Sequence, residues 1–229
     1  MNLTERYRSV RDRIEAAASK AGRKAGDVEL VVVTKNHPAR LVTELYHLGQ
    51  RHFGENRDQE AKPKAVEVHN QGCLDATWHF VGQLQSNKVK SVLDYAGFIH
   101  SIDRPSLVAE LAKQLTRRES SIAGFIELNL TDDPGRGGVQ LGELEQLAEQ
   151  VLLSGRIELM GVMAVASLGG DPRADFAMAI AASERLVRLA PLANKASIGM
   201  SDDFELAIEM GATHIRVGSA ITGPRPNYA

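Results

Sequence analysis

The 229-residue chain has a single cysteine, Cys73, so no disulfide can form within it and nothing in its cysteine usage implies an oxidising compartment. Long apolar runs are also missing. The longest, from about Leu159 to Leu168, falls well short of the ~20 residues that span a bilayer. The N-terminus, MNLTERYRSV, is charged from its fifth residue and has no apolar core of a secretory signal. Without such a signal, the Asn-Leu-Thr tripeptides at Asn2 and Asn129 are chance matches to a glycosylation pattern. Neither charge sign is in excess: 27 Lys and Arg face 29 Asp and Glu, a net charge of −2 with the signs interspersed. That balance argues against an electrostatic nucleic-acid binder and against a polybasic membrane anchor. The seven histidines show neither HExxH nor a Cys-His zinc spacing, and Asp132 with Asp133 lacks the calcium-loop pattern, so no metal site is expected. Proline-rich linkers, low-complexity tracts and short repeats are absent as well. The expectation is a cytoplasmic protein with one domain over residues 1–229.

What is present is an ordinary globular balance, 43% hydrophobic and 24% charged, enough to bury a sizeable core. Leu3, Tyr7, Val10, Ile14, Ala17, Ala18 and Ala21 recur at helical spacing, which predicts an amphipathic helix over about 3–21. Glu29-Leu-Val-Val-Val33 follows as a β-branched strand, apolar on both faces. Strand patterns then recur near 51–54, 78–82, 97–102, 122–130, 157–165, 194–198 and 213–217. Helical patterns lie between them, near 38–48, 56–69, 86–95, 105–118, 141–153, 173–190 and 202–210. Such alternation implies parallel strands covered by helices. The count of eight strands, and the absence of GxGxxG after the first, favour a closed barrel over an open doubly wound sheet. The fold class expected is therefore α/β, a single (β/α)8 TIM-type barrel with an extra N-terminal helix.

Barrels of this kind carry their chemistry at the C-terminal ends of the strands. There the sequence offers Thr34-Lys35-Asn36-His37, Gly54-Glu55-Asn56, Gly82 to Lys88, Ser101 to Arg104, Asn129 with the loop through Arg136, Met163, Ser197 to Asp203, and Arg216 to Ser219. Lys35 follows three valines at the mouth of a barrel expected to be dry. Apolar surroundings disfavour the charged ammonium and favour the nucleophilic amine that an imine requires. The same position also suits a lysine that merely snorkels from a strand end. In the stretch 197–225, Gly218 permits close backbone approach to an anion while Ser201 and Ser219 bring hydroxyls, as in the usual barrel phosphate site. Alternatively Ser201 is only a helix N-cap, with Asp202 and Asp203 in the first turn. His79 beside Trp78 has no partner at metal-binding spacing, and Cys73 has no basic neighbour to activate it. The loop of Arg136 is equally compatible with a side chain reaching inward and with a plain surface loop.

Together these segments resemble the pyridoxal phosphate homeostasis protein family, small barrels related to the barrel domain of alanine racemase. The resemblance spans nearly the whole chain. It rests on Val32-Val-Thr-Lys35, His52-Phe-Gly-Glu-Asn56, Trp78-His-Phe-Val-Gly82 with Leu84-Gln-Ser-Asn-Lys88, Leu159-Met-Gly-Val-Met163, Ser197-Ile-Gly-Met-Ser-Asp-Asp-Phe204, Glu209-Met-Gly-Ala-Thr213 and Arg216-Val-Gly218. The resemblance implies pyridoxal 5′-phosphate (PLP) as cofactor, joined to Lys35 as an imine. Its phosphate would be held by Ser201, Gly218 and Ser219, its pyridine nitrogen would face Arg216, and Asn56 and Met200 would line the pocket. The chain departs from the family in carrying Arg136 where a lysine is usual and Thr222 where an aromatic is usual. A guanidinium cannot form an imine, so any amine-specific role of the first position is in doubt.

The function implied is buffering or delivery of PLP within the cell by a monomer, with apo PLP-dependent enzymes as partners and without turnover. The alternative is an amino-acid racemase of the alanine-racemase type. Arg216 opposite the ring nitrogen makes a weaker electron sink than a carboxylate partner would. A racemase also needs a second base, supplied in alanine racemase by a tyrosine of a further domain, whereas Tyr7, Tyr46, Tyr95 and Tyr228 all lie outside the strand-end set here. A flavin or sugar-phosphate barrel would leave Lys35 without a purpose.

Overall fold

The computed structural model describes residues 1–131, 133 and 135–224; Asp132, in the loop after the fifth strand, and Tyr228 lie outside them. Eight strands, β1 (Glu29–Val33), β2 (His52–Glu55), β3 (Thr77–Phe80), β4 (Ala96–Ile102), β5 (Ile122–Leu128), β6 (Ile157–Ala164), β7 (Lys195–Ser197) and β8 (His214–Val217), close into a barrel in sequential order. Every neighbouring pair is parallel, including β1 with β8, where Val31 stands opposite Arg216. The expected (β/α)8 barrel is therefore the observed one. An N-terminal helix α1 (Leu3–Lys20) precedes it, started by a capping box in which Asn2 and Glu5 each accept the other's backbone N–H.

The crossovers are α2 (Ala39–His47), α3 (Asp58–Asn70), α4 (Val89–Val92), α5 (Pro105–Arg118), α6 (Leu144–Leu153), α7 (Pro172–Leu189) and α8 (Phe204–Glu209), with α9 (Ser219–Thr222) after β8. Several are shorter than the pattern predicts. The helix expected over 86–95 becomes a 3₁₀ turn, Ser86–Lys88, followed by the single turn of α4, after which Asp94 N–H to Ser91 O and Tyr95 N–H to Val92 O tighten the chain into β4. The one expected from 141 starts at Leu144, since Gln140 to Glu143 closes a turn of its own through Glu143 N–H to Gln140 O.

Strand alternation sends one set of side chains outward under the helices, among them Leu30, Val32, Phe53, Trp78, Ile126 and Leu128, and these form the main apolar core. The other set points to the barrel axis. There the structure departs from the expected dry barrel: His52, His79, His100, Ser197, His214 and Arg216 lie along it, packed with Phe98 and Phe125. His79 stacks on Phe98 at 4.3 Å and His100 on Phe125 at 4.5 Å, so flat polar rings fill the volume that aliphatic layers usually fill.

Helix α1 packs on α8 and α9. Its Arg6 donates to the carbonyls of Ile221 (2.7 Å) and Thr222 (3.3 Å), acceptors left over at the end of α9. The extra helix thus fastens the last element, which carries Ser219, to the body of the barrel.

Candidate functional site

At the C-terminal mouth of the barrel a cavity of about 400 Å³ is lined by Lys35, Asn56, Met200, Ser201, Arg216, Gly218 and Ser219. All seven residues singled out from the sequence meet there. The volume is within the range of small-ligand sites. His37, Val81, Gly82, Val165, Asp202, Thr222 and Gly223 complete the wall.

Lys35 extends the inward series Glu29, Val31, Val33 by one more step of two, which aims it into the mouth. It is half-buried. Its neighbours in the chain are fixed tightly. Thr34 donates its backbone N–H to Gly54 (3.0 Å) and its hydroxyl to Glu55 Oε1 (2.7 Å), and its carbonyl accepts Lys64 Nζ (2.9 Å). Asn36, in the left-handed region at φ 62°, gives its N–H to Glu60 (3.0 Å). Lys64 also binds Glu55 at 2.6 Å, so this fully buried carboxylate is taken by Lys64 and does not hold the Lys35 amine. Burial raises the Glu55 carboxyl, and the Lys64 ammonium acts against that rise.

Asn56 owes its place to Gly82: a Cβ at residue 82 would fall 2.4 Å from the Asn56 carbonyl oxygen. The loop after β3 therefore closes directly onto the end of β2.

Ser201 does not cap a helix. Helix α8 starts three residues later, with Asp203 at its N-cap, and Asp203 Oδ1 turns back to accept Met200 N–H at 2.6 Å. The Ser201 hydroxyl oxygen instead accepts the backbone N–H groups of Gly218 (3.1 Å) and Ala220 (3.4 Å), tying the loop after β7 to the start of α9. Hydroxyls and backbone donors converge here as a phosphate requires. Of the two acids that would repel it, only Asp202 faces the cavity.

Arg216 is 5% exposed. Nη1 donates to Ser197 O and Oγ, both at 2.6 Å, and Nη2 to Ala164 O at 2.9 Å. Burial lowers its pKa to about 10, with Glu127 and Asp203 opposing the shift, so the group stays cationic at neutral pH. Arg136 reaches inward: Nη2 donates to Val165 O and Ala166 O, both at 2.8 Å, and so braces the cavity wall at Val165. Thr222 lines the cavity in the place of the expected aromatic. Burial, together with Lys64 and Arg6, lowers the pKa of His37. Glu55 and Lys64, which set the Lys35 segment, were not singled out as a pair by sequence reasoning. Their nine-residue spacing carries no motif.

The barrel is of the alanine racemase type: the family model described as alanine racemase, N-terminal domain, matches residues 7–226. The pyridoxal phosphate homeostasis protein of Mycobacterium leprae (strain TN) is 38% identical over 231 residues, covering 94% of this chain and 90% of its own. The protein of the same name from Escherichia coli (strain K12) is 36% identical over 228 residues, covering 98% and 97%. PipY of Synechococcus elongatus PCC7942, solved with PLP bound, is 34% identical with a TM-score of 0.82, over 97% of this chain and 100% of its own. The chain belongs to the pyridoxal phosphate homeostasis protein family.

Proposed function

We propose that the protein binds PLP as an imine on Lys35 and serves in intracellular PLP homeostasis, buffering or delivering the cofactor without turnover of its own. The observation that carries this reading is the meeting, in one cavity, of the Lys35 amine, the Ser201–Ser219 donor cluster and the Arg216 guanidinium. These three groups suit the aldehyde, the phosphate and the ring nitrogen of PLP. When bound, PLP supplies a reactive aldehyde on an electron-withdrawing ring. The chain's residues do the rest. Ser201, Gly218 and Ser219 hold the phosphate, Asn56 and Met200 flank the ring, and Arg216 stays protonated and donates toward the ring nitrogen.

That last feature makes the ring a weaker electron sink, which a two-base racemase tolerates, so the reading turns on the second base. A racemase would also need a base across the site. Tyr7, Tyr46 and Tyr95 belong to α1, α2 and the turn before β4 and do not line the cavity. Among the described residues, His37 and Asp202 are the titratable groups left for the task. The working form proposed is a cytoplasmic monomer whose partners are apo PLP-dependent enzymes.

The test is the absorbance spectrum after incubation with PLP and desalting, for the wild type and Lys35→Ala. A long-wavelength band abolished by borohydride, present in the wild type and absent in the variant, is expected. A colourless wild type would refute the PLP reading. The loaded protein is then mixed with a PLP-dependent apo-enzyme. Activation no faster than by free PLP would reduce the function to buffering.

A further inference from the structure

A file of polar side chains runs the length of the barrel axis to the floor of the cavity. Glu29, half-exposed at the N-terminal face, lies 3.5 Å from His52 Nε2. His52 Nδ1 is 2.8 Å from His79 Nε2, and His79 Nδ1 is 2.8 Å from His100 Nε2. His100 Nδ1 is 2.9 Å from Ser197 Oγ, which accepts Arg216 Nη1 at 2.6 Å. His79, His100 and Ser197 are fully buried.

The two ends give this file a direction. Arg216 can only donate, and ionised Glu29 can only accept. With one lone pair of Ser197 Oγ taken by Arg216, its hydroxyl proton is directed to His100 Nδ1. His100 is then protonated at Nε2 and donates to His79 Nδ1. His79 in the same tautomer donates to His52 Nδ1, and His52 presents its Nε2–H to Glu29. The opposite direction would leave the Ser197 proton without an acceptor and turn the His52 lone pair toward a carboxylate. Burial holds His79 and His100 neutral, and the Arg216 charge acts on His100 in the same sense. His214, Glu127 and Asp203 are the other charged or titratable groups acting on the file, and Lys195 acts on His214.

We propose that His100 is a positioning residue for the cavity: as the link next to Ser197 in a one-way hydrogen-bond relay from Arg216 to Glu29, it fixes the Ser197 hydroxyl and thereby the guanidinium that faces the bound ligand. The inference rests on the PLP reading above for the identity of that ligand, but the order of the protons in the relay does not.

Two measurements separate them. In the ligand-free wild type, heteronuclear NMR of the imidazole nitrogens is expected to find Nε2–H tautomers at His52, His79 and His100. An Nδ1–H tautomer at His100 would overturn the relay whatever the ligand. PLP affinity and the absorbance maximum of the bound cofactor are then compared in His100→Phe and His100→Asn. Phenylalanine keeps the ring stacked on Phe125 but offers Ser197 no acceptor, whereas asparagine restores an acceptor without the link to His79. Expected are a loss of about tenfold in affinity and a shifted band for His100→Phe, with His100→Asn within ~3-fold of the wild type. Equal behaviour of the two folded variants would refute the positioning role. A wild type that shows the expected tautomers but binds no PLP would refute the cofactor reading and leave the relay standing.

Discussion

Lys64 is buried beside the loop of Lys35, with its ammonium shared between Glu55 (2.6 Å) and the Thr34 carbonyl (2.9 Å). Glu55 uses only one carboxylate oxygen in these bonds; Oε2 is buried without a partner among the described residues. A pair so placed adds little net stability, yet breaking it from one side is costly, because the remaining charge is stranded. Lys64→Met is therefore expected to lose about 3–5 kcal/mol of unfolding free energy at pH 8. The deficit relative to wild type shrinks from pH 8 to pH 5, because burial raises the Glu55 carboxyl and the loss of Lys64 removes what opposes that rise, favouring the protonated form. Adding Glu55→Gln recovers most of the loss. Urea denaturation at the two pH values checks this, and a deficit independent of pH would show that the pair is not what holds the segment.

Among the elements, β6 is the most constrained by a single residue. Leu159 pairs with Gly124 and Gly161 with Phe125, so Met160 is the extra residue of a bulge between them. Directly after the bulge, Gly161 has φ 151°, and a Cβ there would sit 1.8 Å from the carbonyl oxygen of Lys195 on β7. The close approach lets three-residue β7 join the barrel and bring Ser197 under Arg216. Gly161→Ala is expected to cost more than about 4 kcal/mol, the range reserved for backbone clashes in a packed core. Gly142→Ala, with open space around the new methyl, is expected to stay within ~1 kcal/mol of wild type. Thermal melts of both variants check the contrast.

At the scale of the molecule, three neutral histidines inside the barrel make the fold sensitive to acid. Burial depresses His79 and His100 well below 6.5, and His214 to about 4. A depressed pKa means that the unfolded chain takes up the proton first, so this stability is present above pH 6.5 and is lost as pH falls through that window. Glu127 acts in the opposite sense. Burial and Asp103 raise it to about 7, so its contribution is present below its ordinary value of 4.5 and is lost as pH rises toward 7. With His37 also lowered and Glu55 also raised by burial, four groups against two leave a net uptake of up to about two protons on unfolding, a slope of at most roughly 3 kcal/mol per pH unit. Unfolding free energy measured from pH 7.5 down to about pH 5 is expected to fall along that slope. A flat profile would mean that the histidines are charged inside the barrel.

The sequence alone determined the strand–helix alternation, the barrel class and the seven residues gathered at its mouth. The alternation and the class are written in local signals, a β-branched run or a helical period. Lys35, Ser201, Gly218 and Ser219 stand out by residue type beyond the strand ends, whereas Asn56, Met200 and Arg216 are legible only through the family resemblance. Once strands are parallel and in order, such strand-end residues must share a face. Only the tertiary structure decided what stands opposite what. His52, His79, His100 and Ser197 lie on four different strands, and the period of two shows merely that each faces one side of its strand. Barrel closure turned that side inward, and the shift between Trp78 and His79 in the β3–β4 pairing helped set the stagger of the rings. The Glu55–Lys64 pair and the grip of Arg6 on α9 arose in the same way. Contacts across a closed barrel depend on register and tilt, which are settled by the packing of the whole chain and leave no mark at any single position.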